Sequence, residues 1–226
     1  MRNIFSNPKR SIATIAGVAL LAVPLAACGT DDNVSGNSDS SSSSAAPAPV
    51  AVIEALSGDT TAIALDKGFT DALTSLKLTP GVTGDAKLTD QGSLVFPITG
   101  GNVSVFTPGE VSPYVIGQVQ HEGSGLSLTA GDTTVELTNF NVDPGVSRVY
   151  GDVSVNGELA VASAYLFKLD GRTLKPLETK GNQAILQGTK VEISDVAAPL
   201  LNDTFKTDAV KPGLLVGIAT ITVDVK

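Results

Sequence analysis

The chain has 226 residues, a net charge of −8 and 42% hydrophobic residues, with one cysteine and no tryptophan. The negative charge argues against nucleic-acid binding, because phosphates would be repelled. The single cysteine excludes an internal disulfide and a cysteine cluster for a metal. Aromatic residues make up only 4% of the chain, so a core has to be built from Val, Leu, Ile and Ala.

Residues 1–27 have the pattern of a secretory signal peptide. Arg2, Lys9 and Arg10 precede an apolar run over residues 12–25. That run is shorter than the roughly 20 residues that span a bilayer comfortably. A basic start followed by a short apolar run is typical of a segment that is removed on export.

The apolar run ends in Leu-Ala-Ala-Cys, residues 25–28. This ending resembles the bacterial lipoprotein box, which implies diacylglycerol transfer to the Cys28 thiol and cleavage before Cys28. Two acyl chains anchor a protein stably where one does not. The alternative is a secreted protein whose cysteine lies near the cut by chance. We predict a protein lipid-anchored at Cys28 on the extracytoplasmic face of the cell membrane.

The chain after the cysteine changes composition at about residue 50. Residues 28–50 are rich in Ser, Asp, Ala and Pro, so they can bury little apolar surface and are predicted to form a disordered linker. Residues 51–226 are predicted to form a single β-rich domain.

The first predicted elements of this domain are a strand and a helix. Residues 60–65 alternate as a strand does, and Asp66 is placed to cap a helix with an apolar stripe over residues 69–76. Gly100-Gly101, between the apolar runs 94–98 and 103–106, predicts a hairpin.

Turn signals then divide the middle of the domain into further strands. A strand is predicted over residues 114–121. Two hairpins follow: residues 126–128 pair with 135–137 across Gly131-Asp132, and residues 149–155 pair with 159–169 across Asn156-Gly157.

The last elements are short strands, a second helix and a closing strand. Strands are predicted over residues 184–186 and 191–193, a helix over 197–205, and a central strand over 214–225, which begins apolar on both faces. About ten strands with two minor helices predict an all-β fold, an antiparallel β-sandwich or barrel.

Four short stretches carry a resemblance to known proteins, at residues 96–101, 117–126, 135–140 and 197–205. They resemble exported actinobacterial lipoproteins of uncharacterised function, and their order is distantly similar to the haem-transport-associated repeat domain, an all-β cell-surface module. The resemblance implies that His121 matches the glycine-flanked histidine of that repeat. The repeat's axial tyrosine lies near its first helix, where residues 67–78 of this chain contain no tyrosine.

The candidate ligand-binding residues are His121 and Tyr114. His121 stands between Gln120 and Glu122 before a glycine-rich turn, which favours a surface position over a ligand role. Tyr114 could contact a ligand, but a core position suits an amphipathic tyrosine better. A lone histidine supports neither a metal cluster nor a catalytic triad, so no metal and no catalytic residue is predicted.

These observations predict a non-enzymatic envelope lipoprotein with a binding or structural β-domain. Its partner would be an envelope protein, a glycan or a small ligand, in addition to the membrane itself. The alternatives are a small-ligand module of haem type and an unrecognised envelope enzyme. No cofactor is expected, and haem is not expected to bind through His121 as in the repeat family.

Overall fold

The computed structural model describes residues 46–225. The predictions for the signal peptide, for Cys28 and for most of the linker lie outside these residues. The strands are β1 (Ala51–Ile53), β2 (Thr60–Leu65), β3 (Thr79–Gly84), β4 (Lys87–Leu88), β5 (Ser93–Pro97), β6 (Gly100–Val105), β7 (Val115–Ala130), β8 (Thr133–Asp143), β9 (Arg148–Val155), β10 (Glu158–Asp170), β11 (Glu178–Lys180), β12 (Gln183–Ile193) and β13 (Leu215–Asp224). The helices are α1 (Lys67–Ser75) and α2 (Ala197–Phe205).

The strands form one curled antiparallel sheet, which confirms the all-β prediction with two short helices. Eleven strands follow the order β1-β6-β7-β8-β9-β10-β12-β13-β2-β5-β4, while β3 pairs with β7 and β11 pairs with β12. The path ends in strands of three and two residues, β1 and β4. The sheet curls into a half-barrel around an apolar interior.

The curl brings β5 back to β6 and β7 at a seam. The backbone N–H of Thr99 donates to the Gln120 carbonyl oxygen at 2.8 Å. Two further bonds join the same segments: His121 Nδ1 lies 2.8 Å from the Pro97 carbonyl oxygen, and the N–H of Glu122 donates to Thr99 Oγ1 at 2.9 Å. The far ends of the strand order are therefore held together.

A row of β-bulges crosses the sheet next to the seam. Register shifts fall between His121 and Gly125 in β7, and at matching levels in β8 and β10. Asn139 and Ser163 adopt positive φ angles of 54° and 50° there, which few residues other than glycine do. Bulges bend a strand and increase its twist, so this row contributes to the curl.

One chain of hydrogen bonds satisfies two backbone N–H groups at the bulges, those of Gly123 and Ser163. Asn139 Oδ1 accepts from the Gly123 N–H, and Asn139 Nδ2 donates to Asp152 Oδ2, both at 2.9 Å. Asp152 Oδ1 accepts from the Ser163 N–H at 2.9 Å. The bond from Asn139, followed by the one from Ser163, lowers the pKa of Asp152 below its usual range, since both stabilise the carboxylate.

Several local predictions are confirmed. Asp66 caps α1 by accepting from the Gly68 N–H at 2.7 Å. Asn156 and Gly157 form the β9–β10 turn with φ angles of 52° and 82°. The last strand, β13, is central because it pairs with both β12 and β2.

The predicted hairpin at Gly100-Gly101 is wrong. Both glycines lie inside β6, which pairs with β1 and β7 and not with β5. Gly101 has φ 117°, and a Cβ atom there would lie 2.0 Å from the Gln118 carbonyl oxygen. The glycine is needed for close backbone approach within the sheet, not for a turn.

The predicted strand boundaries are also wrong in two places, where several short strands were predicted and the structure has one long strand. Residues 114–121 and 126–128 belong to the single strand β7, apart from Tyr114 just before it, and residues 184–186 and 191–193 belong to β12. Each long strand contains an irregularity near a glycine, Gly123 or Gly188, which resembles a turn in the sequence.

Replacing Asp152 by Asn tests the hydrogen-bond chain. An amide offers one acceptor oxygen, so either Asn139 Nδ2 or the Ser163 N–H loses its partner and meets an N–H₂ group. We expect Asp152→Asn to lower the free energy of unfolding by about 1–2 kcal/mol, measured by urea denaturation. Asp132→Asn is the control, because Asp132 is exposed in the β7–β8 turn. An equal loss of unfolding free energy in the two variants would contradict a stabilising role for this hydrogen-bond chain.

Candidate functional site

The interior of the curled sheet contains an apolar cavity of about 700 Å³. Its walls are mainly aliphatic side chains from the inward faces of the strands. Some of the wall residues are partly exposed, among them Ile53, Leu186, Ile221 and Val225. A cavity of this size and polarity is typical of a small-molecule site.

Aromatic side chains gather around His121 in one part of the cavity wall. The Phe96 and Phe140 rings meet edge to face with centroids 5.3 Å apart, and Phe167 lies 6.0 Å from Phe140. The His121 ring lies 6.2 Å from Phe96. His121 faces this group because it pairs with Phe140 across the β7–β8 ladder.

His121 is buried, with 1% of its surface exposed, so the predicted surface position is wrong. The sequence suggested a turn at the glycines that follow, but those glycines form a bulge within β7, and the ring stays on the inward face. Its Nδ1 meets the Pro97 carbonyl oxygen, which can only accept, so Nδ1 carries the hydrogen. Nε2 is then an acceptor, and it has no partner among the described residues.

Burial also sets the charge of this histidine. The pKa of His121 is lowered because desolvation disfavours the imidazolium, while the hydrogen bond to Pro97 offsets part of the effect. The ring is therefore neutral at pH 7, and Nε2 carries a lone pair that is buried and unpartnered among the described residues.

Thr61 is a second polar residue of the cavity wall, and it was not predicted from the sequence. It is buried, and its hydroxyl has no partner among the described residues. Thr61 is the cross-strand partner of Phe96, the ring that contacts His121. The alternation in β2 places Thr61 on the same face as Ile63 and Leu65, a signal that a polar group points inward.

Tyr114 lies at the cavity wall and is partly exposed, whereas the sequence favoured a core position. Its hydroxyl donates to the Lys175 carbonyl oxygen at 3.2 Å. Burial raises the pKa of Tyr114, so the phenol stays protonated and can donate. The bond joins the loop before β7 to the loop before β11.

The charged groups of the cavity wall neutralise each other. Arg172 contacts Asp170 through two bonds, Nη2 to Oδ2 at 2.7 Å and Nε to Oδ1 at 2.9 Å. These bonds keep the pKa of Asp170 well below its usual range. In residues 46–225, no group of three or more His, Cys, Asp or Glu side chains is arranged to hold a metal ion. The cavity is suited to an apolar ligand with few polar contacts.

Comparison with known proteins supports a fold relationship. No family model and no curated protein matches the chain. The C-terminal domain of HtaA from Corynebacterium glutamicum is similar in structure, with a TM-score of 0.50 and 13% identity over 75% of this chain and 98% of that domain. The heme binding protein HtaB from the same organism has a TM-score of 0.45 and 10% identity over 77% of this chain and 96% of that protein. The similarity to the HtaA domain shows a shared fold.

The lowered pKa of His121 predicts a specific loss of stability in acid. The unfolded chain takes up a proton at His121 near its ordinary pKa of about 6.5, whereas the folded chain does so only at lower pH. The contribution is fully present above this value and is lost as the pH falls below it. From pH 7 to 5, we expect the free energy of unfolding to fall more steeply than in His121→Gln, by up to about 1.4 kcal/mol per pH unit.

Comparing wild type with His121→Gln cancels the contribution of the carboxylates to the pH dependence of stability, because both proteins contain the same carboxylates. The glutamine amide of the His121→Gln variant is polar but does not titrate, so the variant lacks the pH dependence of the imidazole. Urea denaturation at closely spaced pH values gives the two curves. Parallel curves would show that His121 titrates alike in the folded and unfolded states.

Proposed function

We propose that this domain is a non-enzymatic binding module that takes a small apolar ligand into the curled sheet, with haem as the first candidate. The observation that carries the proposal is an apolar cavity of about 700 Å³ whose wall includes two buried polar atoms without partners among the described residues, His121 Nε2 and Thr61 Oγ1. Buried polar atoms are normally hydrogen-bonded. A ligand that met them would satisfy both groups.

The apolar wall supplies the second argument. An unfilled cavity forfeits dispersion contacts and destabilises the fold in proportion to its volume. A ligand that fills the space recovers these contacts and buries its own apolar surface. The cavity wall has no unpaired cation or carboxylate among the described residues, because Arg172 and Asp170 bind each other.

Haem is favoured by the chemistry of His121. A neutral histidine whose Nδ1–H is fixed by a backbone carbonyl presents Nε2 as a metal ligand, and histidine is a common axial ligand of haem iron. Phe96, Phe140 and Phe167 supply aromatic walls for a planar ring. The resemblance of residues 96–101, 117–126, 135–140 and 197–205 to the haem-transport-associated repeat favours the same candidate.

Binding through His121 requires a local rearrangement. Nε2 has almost no accessible surface, so a neighbouring side chain has to move before an iron could reach it. The expectation that haem would not bind through His121 depended partly on a surface position, and that position is wrong. The missing tyrosine of α1 leaves His121 as the ligand to test.

The proposed location is the cell envelope, with a lipid anchor at Cys28. The support is the order of basic residues, apolar run and Leu-Ala-Ala-Cys at residues 25–28. Within residues 46–225, no helix is long and apolar enough to cross a membrane. Anchoring through an acylated cysteine needs no such helix.

Titration with haem tests the binding proposal. We expect wild type to bind one haem with a shifted Soret band, because Nε2 can ligate the iron. His121→Gln, which removes the imidazole ligand, should bind at least about tenfold more weakly and lose the shift. Thr61→Val is the control, since it changes the other unpartnered group but leaves the axial ligand in place. Haem binding that is absent in wild type, or unchanged in His121→Gln, rules out ligation by His121.

A fluorescent probe of apolar sites, 1-anilinonaphthalene-8-sulfonate, tests whether the cavity binds a ligand independently of whether that ligand is haem. Displacement of the probe by haem would place haem in the interior. Probe binding without displacement would retain an apolar site and reject haem as its occupant. If neither compound binds, the interior does not function as a ligand site.

Mass spectrometry of the native protein tests the anchor. We expect the chain to begin at Cys28 and to carry diacylglycerol on its sulfur, and Cys28→Ser to move from the membrane fraction to the soluble fraction. A native chain that begins elsewhere without lipid, or equal solubility of wild type and variant, would remove the anchor.

A further inference from the structure

A second, polar cleft of about 560 Å³ involves four neighbouring strands, β7 to β10. It lies at the bulge row, on the outward face of these strands, which carries their polar side chains. Seven side chains with polar groups line it: Gln120, Glu122, Asn139, Asn141, Tyr150, Asp152 and Ser163. Its chemistry is therefore the opposite of that of the interior cavity.

The hydrogen bonds that hold the sheet together use only some of these polar groups. Asn139 and Asp152 are occupied by the hydrogen-bond chain of the bulges. The side chains of Gln120 and Asn141 make no hydrogen bond to the described residues, and Asn141 Oδ1 is buried. The Tyr150 hydroxyl has one long contact, 3.5 Å from Arg148 Nη1. These three residues retain the capacity to bind a ligand.

The free groups are amides and a phenol, each able to donate and to accept. Such groups match hydroxyl groups, which also do both. A sugar ring presents several hydroxyls at its rim and C–H groups on its faces, and Tyr150 offers an aromatic surface beside the amides. An amide that contacts two neighbouring hydroxyls can donate to one and accept from the other.

Charge narrows the class of ligand further. The cleft is lined by two carboxylates, Glu122 and Asp152, against one cation beside it, Arg148, which contacts the Tyr150 hydroxyl, so the local charge disfavours an anion. A Ca²⁺ ion needs six to eight oxygen ligands. Both oxygens of Asp152 already accept a hydrogen bond, and Glu122 is exposed, which disfavours a metal.

We propose that this cleft is a binding site for a neutral saccharide, with Gln120, Asn141 and Tyr150 as the recognition groups. The site is separate from the proposed haem site and uses different side chains. The domain would then bind two chemically unlike ligands, one in its interior and one on the polar face of the bulged strands.

The experiment is an NMR titration of the full chain with four probes: the methyl pyranosides of glucose, galactose, mannose and N-acetylglucosamine, each up to about 50 mM. We expect at least one probe to shift amide signals of residues 120–123, 139–141 and 150–152 in a saturable manner. Asn141→Ala and Tyr150→Ala should each weaken binding at least about tenfold. Gln118→Ala is the matched control, because Gln118 is an exposed amide on β7 that does not line the cleft.

Further variants keep the result interpretable. Tyr150→Phe retains the ring, so an intermediate loss of affinity would assign part of the binding to the hydroxyl. Gln120→Ala is the substitute if Asn141→Ala unfolds the chain. The saccharide titration is carried out without haem, so its outcome does not depend on the haem titration.

Three results would overturn the proposal. The first is the absence of saturable shifts with all four probes. The second is equal binding by wild type, Asn141→Ala and Tyr150→Ala. The third is a preference for another class of ligand, either stoichiometric binding of Ca²⁺ alone or tighter binding of glucuronate than of the neutral glucoside.

Discussion

Two residues, Ile98 and Thr99, connect strands that lie near opposite ends of the sheet. β5 is tenth and β6 is second in the strand order, yet the chain passes from one to the other without a crossover. A flat sheet would place them many strand widths apart, at almost 5 Å per strand. The sheet must therefore curl until β5 reaches β6 and β7. The bonds from Thr99 to Gln120 and from His121 to Pro97 are formed at that closure.

The curl determines what can occupy the interior. A large sheet lined mainly by Val, Leu and Ile encloses more space than its few aromatic side chains fill. Those that are present gather beside the seam, where Phe96, Phe140 and His121 pack together. His121 thus has a structural role through Nδ1 and an unused atom in Nε2. The same residue links the closure of the sheet to the chemistry of the cavity.

Local features were predictable from the sequence, whereas long-range ones were not. Asp66 and Asn156-Gly157 act within a few residues of themselves, so their cap and turn could be identified. Gly100-Gly101 and the glycines after His121 have the same composition as turns, but their neighbours in space come from distant strands. Burial of His121 follows the alternation of Val115 and Val119 before it, and the bulge that shifts this alternation comes only after the histidine. The unpaired Asn141 could not be foreseen, because its surroundings come from three strands.

The lengths of the terminal strands have a consequence for behaviour at high concentration. An open sheet presents unpaired backbone groups at each edge, and these can recruit the edge of another molecule into fibres. Here the two ends of the path expose only three and two residues, β1 and β4, and the side strand β3 carries Pro80. Such short or interrupted edges give a neighbouring copy little to pair with. A half-open barrel without disulfides can thereby be crowded among its own copies and still resist polymerisation through its strands.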